Sequence, residues 1–134
     1  MGAISAACNY PSVHTESATQ YAQAPVLSRD DIDWFWGQYL GHPETEQNHP
    51  WASPSRAPSL AGVAPTFVAT AEIDPSRDDT EDYGKKLREA GVEVQIKRYP
   101  GMLHGFLSWI GPIDTARTAI EDGAAWLKRH WQAQ

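Results

Sequence analysis

The 134-residue sequence holds a single cysteine, Cys8, so no disulfide can form within the chain. One cysteine fits a reducing compartment, and a cytoplasmic location is expected. No window approaches the roughly 18 consecutive apolar residues of a membrane span. Basic residues are outnumbered, 11 Lys and Arg against 17 Asp and Glu, for a formal charge of −6. That balance argues against nucleic acid as a partner, because phosphate-backbone affinity comes from clustered cations. Met1–Cys8 carries no Lys or Arg ahead of its small residues, so it reads unlike a secretory leader. No internal repeat and no low-complexity tract is present. What remains is an ordinary composition, 41% apolar and 21% charged, in a length suited to one domain with one core.

The first 26 residues are small, polar and weakly patterned, with a short strand expected within Ala3–Cys8. Ser28-Arg29-Asp30-Asp31 carries a helix start signal, a capping Ser with acids in the first turn. Ile32, Phe35, Trp36, Tyr39 and Leu40 then follow helical spacing to Gly41. Trp34 and Trp36 cannot both face inward, so one of them is expected on the surface. Residues 41–64, with Pro43, Pro50, Pro54 and Pro58, read as a long irregular loop.

The most informative unit comes next. Pro65–Ala71 reads as a strand buried on both faces. Asp78–Ala90 reads as a helix, ended by Gly91. From Val92 to about Tyr99 apolar and polar residues alternate, a second strand closed by Pro100-Gly101. Strand, helix and strand with short joints make a parallel βαβ unit with a right-handed crossover. A final helix from about Pro112 or Asp114 is expected to bury Ile113, Ala116, Ile120, Ala124 and Leu127. The fold class is therefore α/β, with about three mostly parallel strands and flanking helices.

In such sheets functional groups gather beyond the carboxyl ends of the strands. Asp74 follows the first strand of the unit and His104 the second, so both loops emerge on one edge. An Asp against a His ring orients the imidazole and stabilises its charged form, as a nucleophile's base requires. From topology alone the two read more readily as ordinary surface loop residues than as a catalytic pair.

The residues around this pair resemble a known family. They are Ala71-Glu72-Ile73-Asp74-Pro75-Ser76-Arg77-Asp78, Tyr83, Leu87, Ala90-Gly91-Val92 and Tyr99-Pro100-Gly101-Met102-Leu103-His104-Gly105-Phe106. Tyr10-Pro11, Trp34-Phe35-Trp36, Tyr39-Leu40 and Ser53-Pro54 add to the match. Together they resemble the C-terminal half of the hormone-sensitive-lipase-like esterases, α/β-hydrolases that cleave carboxylic esters. The resemblance implies a partial α/β-hydrolase fold, with Asp74 as triad acid and His104 as triad base. It also offers Trp34, Phe35, Phe106 and Trp109 as substrate contacts.

The nucleophile's turn is absent from these residues. No serine has glycine both two residues before and two after it, and no His-led glycine-rich oxyanion loop is present. Cys8 and Ser108 are poor substitutes, one placed like a buried filler and the other without a sharp turn. His42, Glu44, Glu46 and His49 lack the spacing of a helical metal motif, so no metal site and no cofactor is expected. Two functions follow as expectations. The chain supplies the acid and base of an ester hydrolase completed from elsewhere, acting on a small-molecule ester once complemented. Alternatively it is a non-catalytic remnant serving as a binding or interaction module. A homo-oligomer, or association with a missing N-terminal half, is expected under both.

Overall fold

A computed structural model describes residues 2–4, 6–11 and 14–131. Ser5, within the expected first strand, and Ser12 lie outside the described residues. Three strands form one sheet in the order β1-β2-β3: β1 (Gly2–Ile4), β2 (Thr66–Ile73) and β3 (Val94–Leu103). Both pairings are parallel. The helices are α1 (Glu16–Gln20), α2 (Arg29–Tyr39), α3 (Pro43–Glu46), α4 (Arg77–Glu89) and α5 (Asp114–Trp131). The α/β class and the partial α/β-hydrolase fold are thus present, with helices flanking a parallel sheet.

β2 is the centre of the sheet, and its side chains are buried from Thr66 through Ala71. Phe67, Ala69 and Ala71 face α5 and form the core with Tyr99, Phe106, Ala116, Ala119 and Trp126. The opposite face packs on α4, where Gly84 permits a close approach. A Cβ there would lie 2.8 Å from Ile96 Cδ1 and 3.4 Å from Val68 Cγ2.

Several boundaries differ from the sequence reading, each for a local reason. β3 does not stop at Pro100-Gly101 but continues to Leu103. The register passes from Ala71↔Tyr99 to Ile73↔Leu103, so β3 holds two extra residues there. Proline is tolerated at such an irregularity because no ladder donor is needed. The weakly patterned start contains α1, capped by Thr15, whose hydroxyl accepts from Ala18 N. The loop at 41–64 holds α3 and a 3₁₀ turn at Pro54–Arg56.

The two amphipathic faces also differ. In α2 only Trp36 is buried; Trp34, Phe35 and Tyr39 are exposed at 61%, 56% and 64%. In α5 the inward residues are Ala116, Ala119 and Trp126, while Ile120, Ala124 and Leu127 are exposed. The helix turns its Ala116, Ala119 and Trp126 face to the sheet, and the larger aliphatic residues fall on its flank. Gly123 lies on the same side, where a Cβ would stand 3.7 Å from the Phe67 ring, an ordinary contact.

Candidate active site

Asp74 leaves β2 at its carboxyl end, just before the first turn of α4, where the helix dipole favours a carboxylate. Its side chain is fully buried. Oδ1 accepts from Ser76 N at 2.8 Å and from Ser76 Oγ at 2.6 Å. This Asx turn fixes the carboxylate on its own backbone. Oδ2 then lies 2.8 Å from His104 Nδ1. His104 stands at the end of β3, with its side chain 28% exposed. The next residue, Gly105, has φ +73°, a left-handed conformation that glycine adopts readily. That turn leaves the imidazole at the surface while Phe106 enters the core. The two extra residues of β3 carry the His loop forward to the level of Asp74.

The geometry thus brings together the two residues singled out as acid and base. An imidazole held through Nδ1 by a buried carboxylate presents its other nitrogen in a fixed direction, which suits proton transfer.

The other candidates have their own surroundings. Phe106 is 1% exposed and packs on Tyr99 with ring centroids 5.5 Å apart, so its ring is part of the core. Trp34 and Phe35 meet edge to face at 5.1 Å on the outer side of α2. Trp109, 37% exposed, follows the 3₁₀ turn after His104. Cys8 is buried with Sγ 3.3 Å from Ala6 O, and burial, reinforced by Asp79, pushes its thiol up to about 12. It is held as a thiol and is not an activated nucleophile. His42 and His49 engage neighbours in their own loop: His42 Nδ1 lies 3.6 Å from Glu44, and His49 Nδ1 accepts from Trp51 N. Among the described residues no three potential ligands gather for a metal. No described helix is long and apolar enough to cross a membrane.

A set of polar locks around the site was not anticipated. Asp79 accepts from Cys8 N at 2.6 Å, Asn9 N at 3.0 Å and Asn9 Nδ2 at 2.6 Å. Burial raises its pKa against the pull of those donors. Asp78 accepts from Ser17 N, and the buried Ser17 hydroxyl donates to Pro75 O. The Arg77 guanidinium donates to Glu72 O and pairs with Asp78 at 2.8 Å. Ser53 Oγ accepts from Tyr10 N and donates to Gln47 O. Consecutive acids at a helix start look like dipole partners in sequence. Nothing local reveals that Asp79 reaches back about seventy residues to hold the chain after β1.

A buried Asp and a His thus meet at the carboxyl edge of two adjacent parallel strands. Residues 3–108 match the alpha/beta hydrolase fold family, and the chain belongs to it, within its hormone-sensitive-lipase-like esterase branch. The chain is 38% identical over 116 residues to the carboxylesterase NlhH of Mycobacterium tuberculosis, which covers 84% of this chain and 36% of that enzyme. It is 39% identical over 97 residues to the carboxylic ester hydrolase LipN of the same organism, covering 72% of this chain and 26% of LipN. The hyperthermophilic esterase of Pyrobaculum calidifontis superposes with a TM-score of 0.90 at 34% identity, over 96% of this chain and 42% of that one. The chain therefore spans about a quarter to two-fifths of these relatives.

Proposed function

We propose that this chain provides the acid–base half of a carboxylic ester hydrolase site. Asp74 orients the imidazole and stabilises its charge, and His104 is the general base. The nucleophilic serine and the oxyanion donors come from residues outside this sequence. The observation that carries the reading is the 2.8 Å contact between His104 Nδ1 and the fully buried Asp74. The substrate class is a small ester, in keeping with the carboxylesterases it resembles.

The division of labour sets the expected rates. A positioned general base alone contributes about 10²–10⁴-fold, acting on water. Loss of one preorganised oxyanion donor costs about 3 kcal/mol. These 134 residues alone should therefore show almost no turnover of p-nitrophenyl acetate. Mixed with a separately produced polypeptide carrying the part of NlhH that this chain does not match, they should gain activity that His104→Ala abolishes. Saturable turnover by the chain alone, lost in His104→Ala, would contradict the external serine. Restored activity that survives His104→Ala would contradict the base.

A further inference from the structure

As β3 approaches the site, three of its residues, each three apart, are tied to their surroundings. Arg98 pairs with Glu81 of α4, its Nε and Nη2 donating at 2.8 and 2.7 Å. Gly101 N donates to Glu72 Oε2 at 2.7 Å. His104 Nδ1 then meets Asp74 at 2.8 Å. The middle tie falls where the ladder is irregular. Between the pairs Ala71↔Tyr99 and Ile73↔Leu103, Glu72 alone stands opposite Pro100, Gly101 and Met102. A bulge of this kind disrupts the ladder locally and re-aims the residues beyond it. Pro100 has no N–H to give, and Gly101 gives its own to a side chain.

Glu72 is itself fixed from the other side. Its carbonyl accepts from Arg77 Nη1 at 2.9 Å. Arg77 is buried at the start of α4, with its Nε on Asp78 at 2.8 Å. One residue thus meets α4 through its backbone and the bulge through its side chain. Glu72 stands two residues before Asp74, and Gly101 three before His104. The two contacts are therefore successive rungs between the same two segments. Gly101 is exposed, with φ +71°. Water would satisfy its N–H if the carboxylate were gone, so the contact adds little to the stability of the fold. What it adds is place, the position at which the bulged chain carries His104 past the end of β2.

We propose that Glu72 is a positioning residue for the acid–base pair: its carboxylate clamps the β3 bulge at Gly101 and so delivers the His104 imidazole to Asp74. The inference rests on the reading of Asp74 and His104 as that pair. Without the clamp the bulge relaxes and the imidazole leaves Asp74, while the sheet stays paired up to Ala71 and Tyr99.

Nitrogen-15 NMR of the His104 ring in the full chain, at about pH 9, is the test, because the hydrogen bond at one ring nitrogen decides which nitrogen carries the proton. The wild-type ring should be held with its proton on Nδ1. Glu72→Ala should cut the share of that form several-fold, toward the mixture of a solvent-exposed histidine, with an unchanged circular dichroism spectrum. The Gly101 amide should exchange with solvent several-fold faster. Glu72→Gln keeps an acceptor oxygen at the same reach and should behave as the wild type in both. Where Glu72→Ala does not fold, Glu72→Asp, whose carboxylate falls one methylene short, carries the same expectation. The ring signal and the rescue by glutamine separate positioning from a general contribution to folding. An Nδ1–H share unchanged in Glu72→Ala or, where that variant does not fold, in Glu72→Asp would overturn the clamp and leave the acid–base reading standing. So would a loss in Glu72→Gln as large as in Glu72→Ala. A wild-type ring with the mixture of a solvent-exposed histidine would instead overturn the Asp74–His104 contact, and the clamp with it.

Discussion

Asp79 ties the start of α4 to the chain that follows β1. Its carboxylate takes three N–H donors from Cys8 and Asn9, and the same stretch is tied again through Thr80 Oγ1 to Ala6 O at 2.6 Å. Asp79→Ala strands these partly buried donors, each costing about 1–3 kcal/mol when left unpaired. A net loss of about 3 kcal/mol in urea unfolding is expected. The pH dependence has a definite sign. Burial holds the folded pKa of Asp79 above the usual carboxylate value, so the fold favours the protonated form. The wild-type advantage over Asp79→Ala should be greatest at acid pH and shrink as pH rises through that raised value. An advantage that grows with pH would mean that the three donors outweigh burial.

At the scale of elements, the α5 C-terminus is held by a second titratable contact. His130 Nδ1 donates to Trp126 O at 2.8 Å, and Nε2 lies 3.0 Å from Glu93, which precedes β3. The carbonyl first, and then Glu93, raise the pKa of His130. A raised folded value means that the contribution is complete below the ordinary His value and fades as pH climbs through the folded one. His130→Ala should therefore lower the melting temperature at pH 5 and leave it nearly unchanged at pH 9. An equal loss at both would show a packing role for the ring, which stacks on Trp126 at 4.0 Å. Elements and strand ends were legible in the sequence where period and position agree. β2 shows as an apolar run rich in β-formers, the capping box shows at Ser28 and Asp31, and Asp74 and His104 show as the residues that follow two parallel strands. The inward face of α5 was not legible, because hydrophobic size ranks Ile120 and Leu127 above Ala116 and Ala119. The rotation of the helix, which turns Ala116, Ala119 and Trp126 onto Phe67, Ala69 and Ala71, inverts that order.

Across the whole molecule, stability is distributed unevenly. β2 pairs on both sides and is covered by α4 and α5, with Val68, Thr70 and Ala71 fully buried. By contrast, α2 buries one aromatic, Trp36, which meets Tyr10 edge to face at 5.5 Å. Its N-terminus is secured locally, by Ser28 N and Oγ donating to Asp31 at 2.8 and 2.6 Å. A helix with little buried apolar surface opens without the rest of the domain, whereas a central strand opens only with global unfolding. Native-state hydrogen exchange should therefore separate the two. Amides of β2 should exchange last, with a urea dependence equal to that of global unfolding, because their exposure requires the whole sheet to open. Amides of α2 should exchange sooner and with little urea dependence, because local opening exposes little surface. The Asp74 loop lies between the buried strand and α4, so its Ser76 amide should follow β2. Fast exchange at Ser76 together with slow exchange across β2 would show that the carboxylate is not held by the strand that carries it. The acid–base geometry would then need another support.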